Sequence, residues 1–383
     1  NKQGLIEVVE NDRPRIDYLD SEDGVFLLEK AATNLVTYSE DFSQSYWSKL
    51  GASVVSNSTI SPDGTLNASK LIEGTNNGTH ILYRNNIVTG AGQNTLSVKV
   101  KADVRNWVLL YDAEQTEAVY FDLENGVAGS TIGSPDDYSI TALPNGWYDI
   151  SLTTTAISKV DFQIYTAEND GVYIYQGDGV SGIYVWGAQL ESGNVASSYI
   201  PTQGSAVTRV AETASGSGNS EVFNDSSGVL FADIAANAND GIKRSISIND
   251  GSSANRFILR FGVNDNTIEF VSSSNNSAVL LSSVAVAGGL SSIKVAAKWD
   301  SNNYVFYVNG IIETTKNDLI TPLVLNNLDF NDGNNNFNPF YGKTKELGCY
   351  DTALTNAELE TLTSYRSWLS MVNELNLNVI YNG

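Results

Sequence analysis

Catalysis needs ionisable side chains at fixed spacings, and this sequence is poor in histidine and cysteine, two of the most common of them. His80 is the only histidine and Cys349 is the only cysteine. A Ser-His-Asp site would have to use His80, yet no serine lies in the Gly-x-Ser-x-Gly turn that exposes such a nucleophile. The cysteine pairs of a zinc site are absent, and a single cysteine cannot form an internal disulfide. The residue types therefore argue against the common hydrolases and zinc enzymes.

Paired carboxylates are the other route to hydrolysis, because glycoside cleavage needs two of them at a fixed separation. Asp122 and Glu124 share one side of a predicted strand, but no third acid precedes them and Asn125-Gly126 ends the strand. The acidic run over residues 17–23 is typical of a turn. We expect no enzyme activity and no catalytic residue. Carboxylate pairs assembled across strands, in a glycoside hydrolase or a polysaccharide lyase, stay open as the alternative.

Sugar binding fits the composition better than catalysis does. Rings stack on the apolar faces of sugars, while amides and basic groups bond to the hydroxyls. The chain has 19 Tyr, 6 Trp and 13 Phe. Trp107 and Tyr111 are four residues apart, so on one strand they point to the same side, with Arg105 close by. We predict that this segment is one wall of a carbohydrate-binding face. Core packing of Trp107 is the alternative.

Two further residues complete the predicted carbohydrate-binding set. Trp186 shares a strand side with Tyr184, and the sequence leaves open which side of that strand is core. Arg256 and Arg260 alternate with large apolar residues, which suits either ligand contact or a solvated strand side. The full set of candidates is Arg105, Trp107, Tyr111, Trp186 and Arg256.

Charge and hydropathy limit the partners. The formal net charge is -22 at pH 7, and a chain this acidic repels nucleic acid and anionic membrane surfaces. No run of 18 apolar residues is present to span a membrane. Solubility is the simple explanation of the charge, and carboxylates gathered around Ca²⁺ are the alternative. The oxygen-rich runs 264–266 and 331–336 suit turns, with cation ligation as their alternative. We expect neither nucleic acid nor membrane insertion, and we assign no metal ligand.

Strand patterns dominate the chain. Residues 96–101 alternate apolar and polar with period two, and residues 304–308 do the same before Asn309-Gly310, a strong hairpin signal. Short strands between Gly, Asn, Asp and Ser clusters predict an all-β sandwich fold. A length of 383 residues suits two such domains. We predict two tandem β-sandwiches with one C-terminal helix.

The clearest domain boundary is a small, polar stretch at residues 212–220, which is rich in Gly and Ser. The predicted organisation follows from this break and from a shallower one near residue 30. It consists of a lead-in segment over 1–30, a first sandwich over 31–212, a linker over 213–219, a second sandwich over 220–365 and a helical tail over 366–383.

The helix is predicted from a complete start signal. Thr355 can cap the first turn, and Glu358 can reach back to the amide of the cap. Leu354 and Leu359 are placed to form a hydrophobic staple across the cap. Apolar residues then mark one helix side at spacings of three and four, namely Leu359, Leu362, Tyr365, Leu369 and Val372.

Several sequence blocks resemble known families. One set resembles phage tail and virion appendage proteins with a carbohydrate-binding jelly roll. These blocks are residues 14–18, 38–42, 61–65, 186–193 and 198–202. A second set, within 220–365, resembles laminin-G-like, concanavalin A-like domains. These blocks are residues 256–257, 298–299, 307–310 and 350–359. The resemblance implies a jelly roll followed by a concanavalin A-like sandwich.

The resemblance also implies a function. It suggests a non-catalytic protein of a phage tail or head appendage, on the virion surface or extracellular, that binds cell-surface or extracellular polysaccharide for host attachment. Its partners would include other copies of the chain, as in a trimer, or other virion proteins. No cofactor is expected to be required, although a structural Ca²⁺ is compatible with the family. Two alternatives stay open: an accessory carbohydrate-binding region of a secreted bacterial polysaccharide-degrading enzyme, and a structural virion component without glycan binding.

Overall fold

A computed structural model of the chain describes residues 1–10, 12–19, 21–286, 290–301, 303–317, 322, 324–333 and 337–364. Contacts divide the chain into two compact units. The first unit contains the residues before Asp12 together with Ala31–Val210, and the second contains Asp12–Lys30 with the residues from Ala211 onward. The predicted tail over 366–383 lies outside the described residues.

The described residues form 28 strands and one α-helix, and every strand pairing is antiparallel. The strands are β1 (Ile16–Asp17), β2 (Val25–Leu28), β3 (Ala32–Asn34), β4 (Ser48–Leu50), β5 (Ala52–Thr59), β6 (Ala68–Glu73), β7 (Asn77–Gly78), β8 (Ile81–Val88), β9 (Gly92–Ala102), β10 (Trp107–Asp112), β11 (Glu117–Asp122), β12 (Val127–Ile132), β13 (Asp137–Leu143), β14 (Trp147–Ala156), β15 (Lys159–Ala167), β16 (Tyr175–Gln176), β17 (Gly182–Ser192), β18 (Val207–Arg209), β19 (Ser227–Ala236), β20 (Arg244–Asn249), β21 (Arg256–Phe261), β22 (Thr267–Ser274), β23 (Ser277–Ala285), β24 (Ile293–Asp300), β25 (Asn303–Val308), β26 (Ile311–Lys316), β27 (Asn327–Asp329) and β28 (Gly342–Tyr350). The helix is α1 (Asn356–Thr363).

The first unit is a sandwich of two six-stranded sheets. One sheet has the order β12-β11-β10-β15-β8-β4 and the other β13-β14-β9-β17-β6-β5. Val108 and Leu110 of β10 and Val98 and Val100 of β9 are buried together in one core, so the two sheets face each other. Alternate residues of a strand point to opposite sides, and burial of the apolar set drives this packing.

Trp147 is buried at the start of β14 in the first unit. It follows a tight turn at Pro144–Gly146, in which Asn145 and Gly146 adopt φ values of 62° and 77°. Such left-handed backbone suits Asn and Gly. The indole is buried, and its N–H donates to the Ile60 carbonyl at 3.1 Å. The ring therefore packs inside without leaving its one donor unsatisfied.

The second unit pairs a seven-stranded sheet, β1-β2-β28-β19-β24-β25-β26, with a five-stranded sheet, β23-β22-β21-β20-β27. The core lies between them, where Phe257 stacks on Trp299 with ring centroids 4.5 Å apart. Strands β1 and β2 come from the lead-in segment and join the seven-stranded sheet by pairing of β2 with β28. The Gly/Ser-rich run predicted as a linker also hydrogen-bonds within the second unit, to residues 328–330.

Helix α1 begins with the capping box that the sequence predicts. The Glu358 amide donates to the Thr355 hydroxyl at 3.3 Å, and the Thr355 amide donates to the Glu358 carboxylate at 2.7 Å. Leu359 is buried against the outer side of the seven-stranded sheet, and Leu354 packs on the same cluster. The helix ends at Thr363. The predicted continuation through Tyr365, Leu369 and Val372 lies outside the described residues. The all-β prediction with one helix is confirmed in the described part of the chain.

Replacing the cap tests how far α1 depends on it. We expect Thr355→Ala to lower the free energy of unfolding of the second unit by about 1 kcal/mol, because the Glu358 amide loses the hydroxyl that accepts its hydrogen bond. Thr361→Ala, at an exposed position of the same helix, is the matched control and should cost nothing, since Ala favours helix. Urea denaturation measures both. An equal effect of the two changes would contradict the role of the cap.

Candidate functional site

The outer side of one sheet in the first unit carries a cluster of aromatic rings. On β10, Val108 and Leu110 point to the core, whereas Trp107, Leu109 and Tyr111 point to the opposite side. Their neighbours on that side are also aromatic. We call this cluster the aromatic face, and its six rings are Tyr83, Trp107, Tyr111, Tyr120, Tyr165 and Tyr173.

Strand register brings these rings together. Leu109 pairs with Tyr120 on β11 and with Tyr165 on β15. In the next row, Tyr111 pairs with Gln163, and Gln163 pairs with Tyr83 on β8. Side chains opposite each other on antiparallel strands lie about 5 Å apart, so residues from four strands share one surface.

The aromatic face has a buried floor and half-buried walls. Tyr120 and Tyr165 are only 2% and 7% exposed, whereas Trp107, Tyr111, Tyr83 and Tyr173 keep part of their surface in solvent. The Tyr165 ring supports two of these neighbours, with centroids 6.1 Å from Tyr111 and 5.4 Å from Tyr173, the latter edge-on. Tilted and edge-on ring pairs of this kind are the favoured arrangements. The half-exposed rings therefore rest on a packed layer that fixes their positions.

Polar groups are ordered across the aromatic face. The Tyr165 hydroxyl donates to Gln163 Oε1 at 2.7 Å, and Gln163 Nε2 donates to Asn85 Oδ1 at 2.8 Å. Burial raises the pKa of Tyr120 to about 12, and burial also raises the pKa values of Tyr165 and Tyr111. These phenols therefore stay neutral at physiological pH. The surface offers neutral hydroxyls and amides beside its rings.

Trp107 packs against Gly129 on β12 and lies close to Asp170. A Cβ added at Gly129 on β12 would lie 2.7 Å from the Trp107 ring and 2.6 Å from Asp170 Oδ1. The Asp170 carboxylate accepts hydrogen bonds from the amide and the hydroxyl of Ser130, at 2.9 and 2.8 Å. The loop after β15, which carries Tyr173, is thereby tied to β12. The indole can approach β12 closely because residue 129 has no side chain.

Arg105 beside Trp107 is part of a structural ion pair. Its Nε and Nη2 donate to the Glu73 carboxylate at 2.7 and 2.8 Å, and its guanidinium lies 4.8 Å from the centre of the Tyr175 ring. Glu73 has no exposed side-chain surface and also accepts from the Tyr175 hydroxyl and the Asp178 amide. A bidentate pair with this many partners positions the chain. Arg105 is therefore engaged within the protein, and its contact with a ligand stays a prediction.

The ionisation of Glu73 follows from these contacts. Burial alone would raise its pKa, but the hydrogen bonds from Arg105, from the Asp178 amide and from Tyr175 together hold the pKa of Glu73 below its ordinary value of 4.5. The hydrogen bond to Glu73 likewise raises the pKa of Arg105. Both partners thus stay charged in the folded protein. His80 is buried beside this network, with its ring centroid 4.7 Å from that of Tyr175.

Two predicted binding residues lie elsewhere. Trp186 is 1% exposed and packs with Trp147 inside the first unit, so its ring offers no face to a ligand. Arg256 lies on β21 of the second unit, where it donates to the Asp332 carbonyl and lies 3.4 Å from the Asp332 carboxylate. Of the five predicted residues, only Trp107 and Tyr111 stand together with solvent-accessible rings on one surface.

Several residues of the aromatic face were not predicted. Tyr83, Tyr120, Tyr165 and Gln163 come from three strands that are well separated in sequence. The signal available for them is an aromatic residue between two core residues, as in Val119-Tyr120-Phe121. That pattern shows the side of each strand but not which strands are neighbours.

In the part of the chain that the structure describes, no three His, Cys, Asp or Glu side chains gather as a metal site would require. The expected structural Ca²⁺ stays a prediction. The one described helix is too short and too polar to cross a membrane.

Comparison with known proteins places the second unit in a fold class. Residues 232–360 match the model of the Concanavalin A-like lectin/glucanases superfamily, a laminin G-type family. This match, with the paired sheets, confirms the predicted concanavalin A-like sandwich and its lectin-like fold. The aromatic face lies outside the matched residues. No curated protein matches the chain.

Solved structures show distant likenesses. The CBM40 module of the Ruminococcus gnavus IT-sialidase, bound to alpha2,6 sialyllactose, is 18% identical, covers 39% of this chain and 94% of its own, and has a TM-score of 0.33. Sheep galectin-11 is 10% identical, covers 37% and 99%, and has a TM-score of 0.27. Domains LG4-5 of the mouse laminin alpha1 chain are 9% identical, cover 91% and 96%, and have a TM-score of 0.28. Likenesses at this level carry no information about the ligand of this chain.

The ion pair next to Trp107 yields a stability prediction. We expect Glu73→Gln to lower the free energy of unfolding of the first unit by about 3 kcal/mol, because it leaves Arg105 without its counter-charge. Glu124→Gln is the matched control, since Glu124 is exposed, and it should change the free energy of unfolding by less than about 0.5 kcal/mol. Urea denaturation at neutral pH measures both variants.

The same pair predicts the direction of a pH effect. The pKa of Glu73 is lower in the folded than in the unfolded chain, so its contribution is complete well above pH 4.5 and is lost as the pH falls through the folded pKa. The difference in unfolding free energy between the wild type and Glu73→Gln should therefore shrink as the pH falls from above 4.5 through the folded pKa of Glu73. A difference that stays constant down to acidic pH would show that the charge of Glu73 does not contribute to stability.

Proposed function

We propose that the chain is a non-catalytic glycan-binding protein and that the aromatic face of the first unit is its binding surface. The observation that carries this proposal is the set of half-exposed rings fixed on a buried floor, with ordered amides among them. Sugars present apolar C–H faces to rings and hydroxyls to amides. A surface with both groups, held rigid before binding, suits a saccharide because little freedom is lost on association.

The placement of the rings supports binding over a purely structural role. The solvent side of an antiparallel sheet is normally polar. Here that side carries Trp107 and Tyr111 on one strand, with Tyr83 two strands away. A cluster of apolar surface that stays partly exposed is a common mark of an interaction site. This favours a ligand over a structural virion component without glycan binding.

The carboxylates near the aromatic face suit support rather than catalysis. Asp122 accepts from the amide of Glu124 and from the side chain of Asn125, which closes the turn after β11. Asp170 is engaged by Ser130, as described above. Each of these acids is engaged by hydrogen-bond donors of its own surroundings. These contacts support a ligand that leaves unchanged, including in an accessory module of a polysaccharide-degrading enzyme.

We further propose host attachment as the setting, on a phage tail or head appendage or on another extracellular surface. The sequence blocks that resemble such appendages support it. A single shallow face binds a saccharide modestly, so copies of the chain in a homo-oligomer, such as a trimer, would supply avidity. The polysaccharide of a cell surface is then the main partner, and other virion proteins are the neighbours. No cofactor is required for this binding, so removal of Ca²⁺ with a chelator should leave it unchanged.

The ring at the centre of the proposal can be removed. We expect Trp107→Ala and Tyr111→Ala each to weaken glycan binding about tenfold or more, because each removes a stacking surface. Tyr138→Ala is the matched control, since Tyr138 is an exposed tyrosine on β13 of the other sheet. A glycan array followed by titration calorimetry measures the effect, with urea denaturation to confirm folding. Binding that survives both changes, or release of reducing ends from a bound polysaccharide, would contradict the proposal.

A second variant moves the indole without deleting it. We expect Gly129→Ala to weaken binding severalfold, since the new methyl group would overlap the present position of the Trp107 ring. The cost in stability should be only about 1 kcal/mol, because the half-exposed ring can swing outward. Gly90→Ala, where the added carbon meets nothing within 4 Å, is the matched control. Equal binding by the two variants would show that the position of Trp107 is unimportant.

A further inference from the structure

We infer that the aromatic face takes neutral saccharides and discriminates against glycans that carry carboxylates, such as sialic acids and uronic acids. The inference rests on the proposed function and names the class of ligand for that same surface. Recognition of a carboxylate needs an available Arg or Lys, usually an Arg that forms a two-pronged pair. The placement of basic and acidic groups around the rings decides whether such a residue is present.

Basic residues of the ring-bearing sheet point away from the aromatic face or are already paired. Its six strands contain Lys49, Arg84 and Lys159. Lys49 pairs with core residue Leu82 in the strand register, so it points to the core side. Arg84 sits on the same side, opposite core residue Phe162, with its guanidinium 4.6 Å from the centre of the Tyr46 ring.

The two basic residues at the margins of the aromatic face have carboxylate partners. Lys159, at the start of β15, lies 3.0 Å from the Glu114 carboxylate and donates to Asn86 Oδ1 at 2.9 Å. Arg105, at the opposite margin, is held by Glu73 through two hydrogen bonds. At Arg105, a sugar carboxylate would have to displace Glu73, which is fully buried. At Lys159, it would compete with Glu114 in a partly exposed pair. Both cations therefore already have a carboxylate partner within the chain.

Acidic residues stand on the ring side of the same strands. Asp122 pairs directly with Trp107 in the strand register, and Asp161 follows the same alternation on β15. Asp170 lies against the edge of the indole, as the contact at Gly129 shows. Burial raises the pKa of Asp122, but hydrogen bonds from Asn125 and from two turn amides outweigh it, so its pKa lies below the ordinary value. An anionic sugar on Trp107 would therefore approach like charges.

Long-range electrostatics act in the same direction. The chain as a whole carries a formal net charge of -22, which slows the approach of anionic ligands. Neutral sugar hydroxyls avoid both penalties, and the half-buried amide of Asn85 with the half-buried, neutral phenol of Tyr111 is suited to bond them. The surface is therefore complementary to an uncharged glycan in both its short-range and its long-range fields.

The test uses glycans in matched pairs on one array. Each pair consists of a neutral oligosaccharide and the same oligosaccharide extended by a sialic acid, or a glucose oligomer and its glucuronic acid counterpart. We expect the intact chain to bind neutral members and to bind their acidic partners about tenfold more weakly or worse. Raising the salt concentration should narrow the gap, because salt screens the repulsion. Asp170→Asn should narrow it further, since the amide oxygen can still accept from Ser130 without the charge.

The outcomes separate the inference from the function on which it rests. Equal or tighter binding of acidic members, lost in Trp107→Ala, would overturn the inference and leave the proposed function standing. Binding of neither member, or binding that Trp107→Ala does not affect, would overturn both. Preference for neutral members that disappears in Trp107→Ala supports both.

Discussion

Strand alternation is the constraint on which the first unit depends, because one of its sheets has large apolar or aromatic side chains on both sides. The inner side is covered by the opposing sheet, where Val108 and Leu110 are fully buried. On the outer side, the buried rings of Tyr120 and Tyr165 lie beneath half-buried neighbours. A shift of one residue in β10 would exchange its aliphatic core residues with Trp107 and Tyr111, so the two sides cannot be interchanged. The aromatic face is thus fixed by the core.

The sequence alone predicts those features of the structure that depend on contacts between residues close together in the chain. The capping box of α1 involves Thr355 and Glu358, three residues apart, and it is predictable from the sequence alone. The aromatic face involves β8, β10, β11 and β15, whose order in the sheet depends on packing over the whole unit. Trp107 and Trp186 show the limit most clearly. Each stands in an alternating strand, yet the first is half-exposed and the second is buried. Alternation in the sequence distinguishes the two sides of a strand, but only the fold determines which side is buried.

Pairing across long sequence distances also explains the lead-in segment. Strands β1 and β2 join the sheet of the second unit through β28, more than 300 residues further along the chain. The sequence predicts only a lead-in segment there and contains no signal for a partner so far away. The Glu73–Arg105 pair is a comparable case, since the sequence shows Arg105 near an aromatic pair and favours ligand contact. The buried carboxylate that engages it is 32 residues away. Removing one partner of such a pair destabilises the fold, so the pairing alone accounts for an arginine at this position.

Charge pairing then links stability to recognition. With only 22 basic residues against 44 acidic ones, the cations are the scarce partners, and the fold uses Arg105, Lys159 and Lys99 in internal pairs. Each such pair removes a group that an anionic ligand would need. At Asp122, hydrogen bonds from Asn125 and from two turn amides hold the pKa below its ordinary value. The same contacts that shape the turns around the rings therefore set the sign of the local field. In this chain, discrimination by charge follows from how the fold satisfies its own acidic residues.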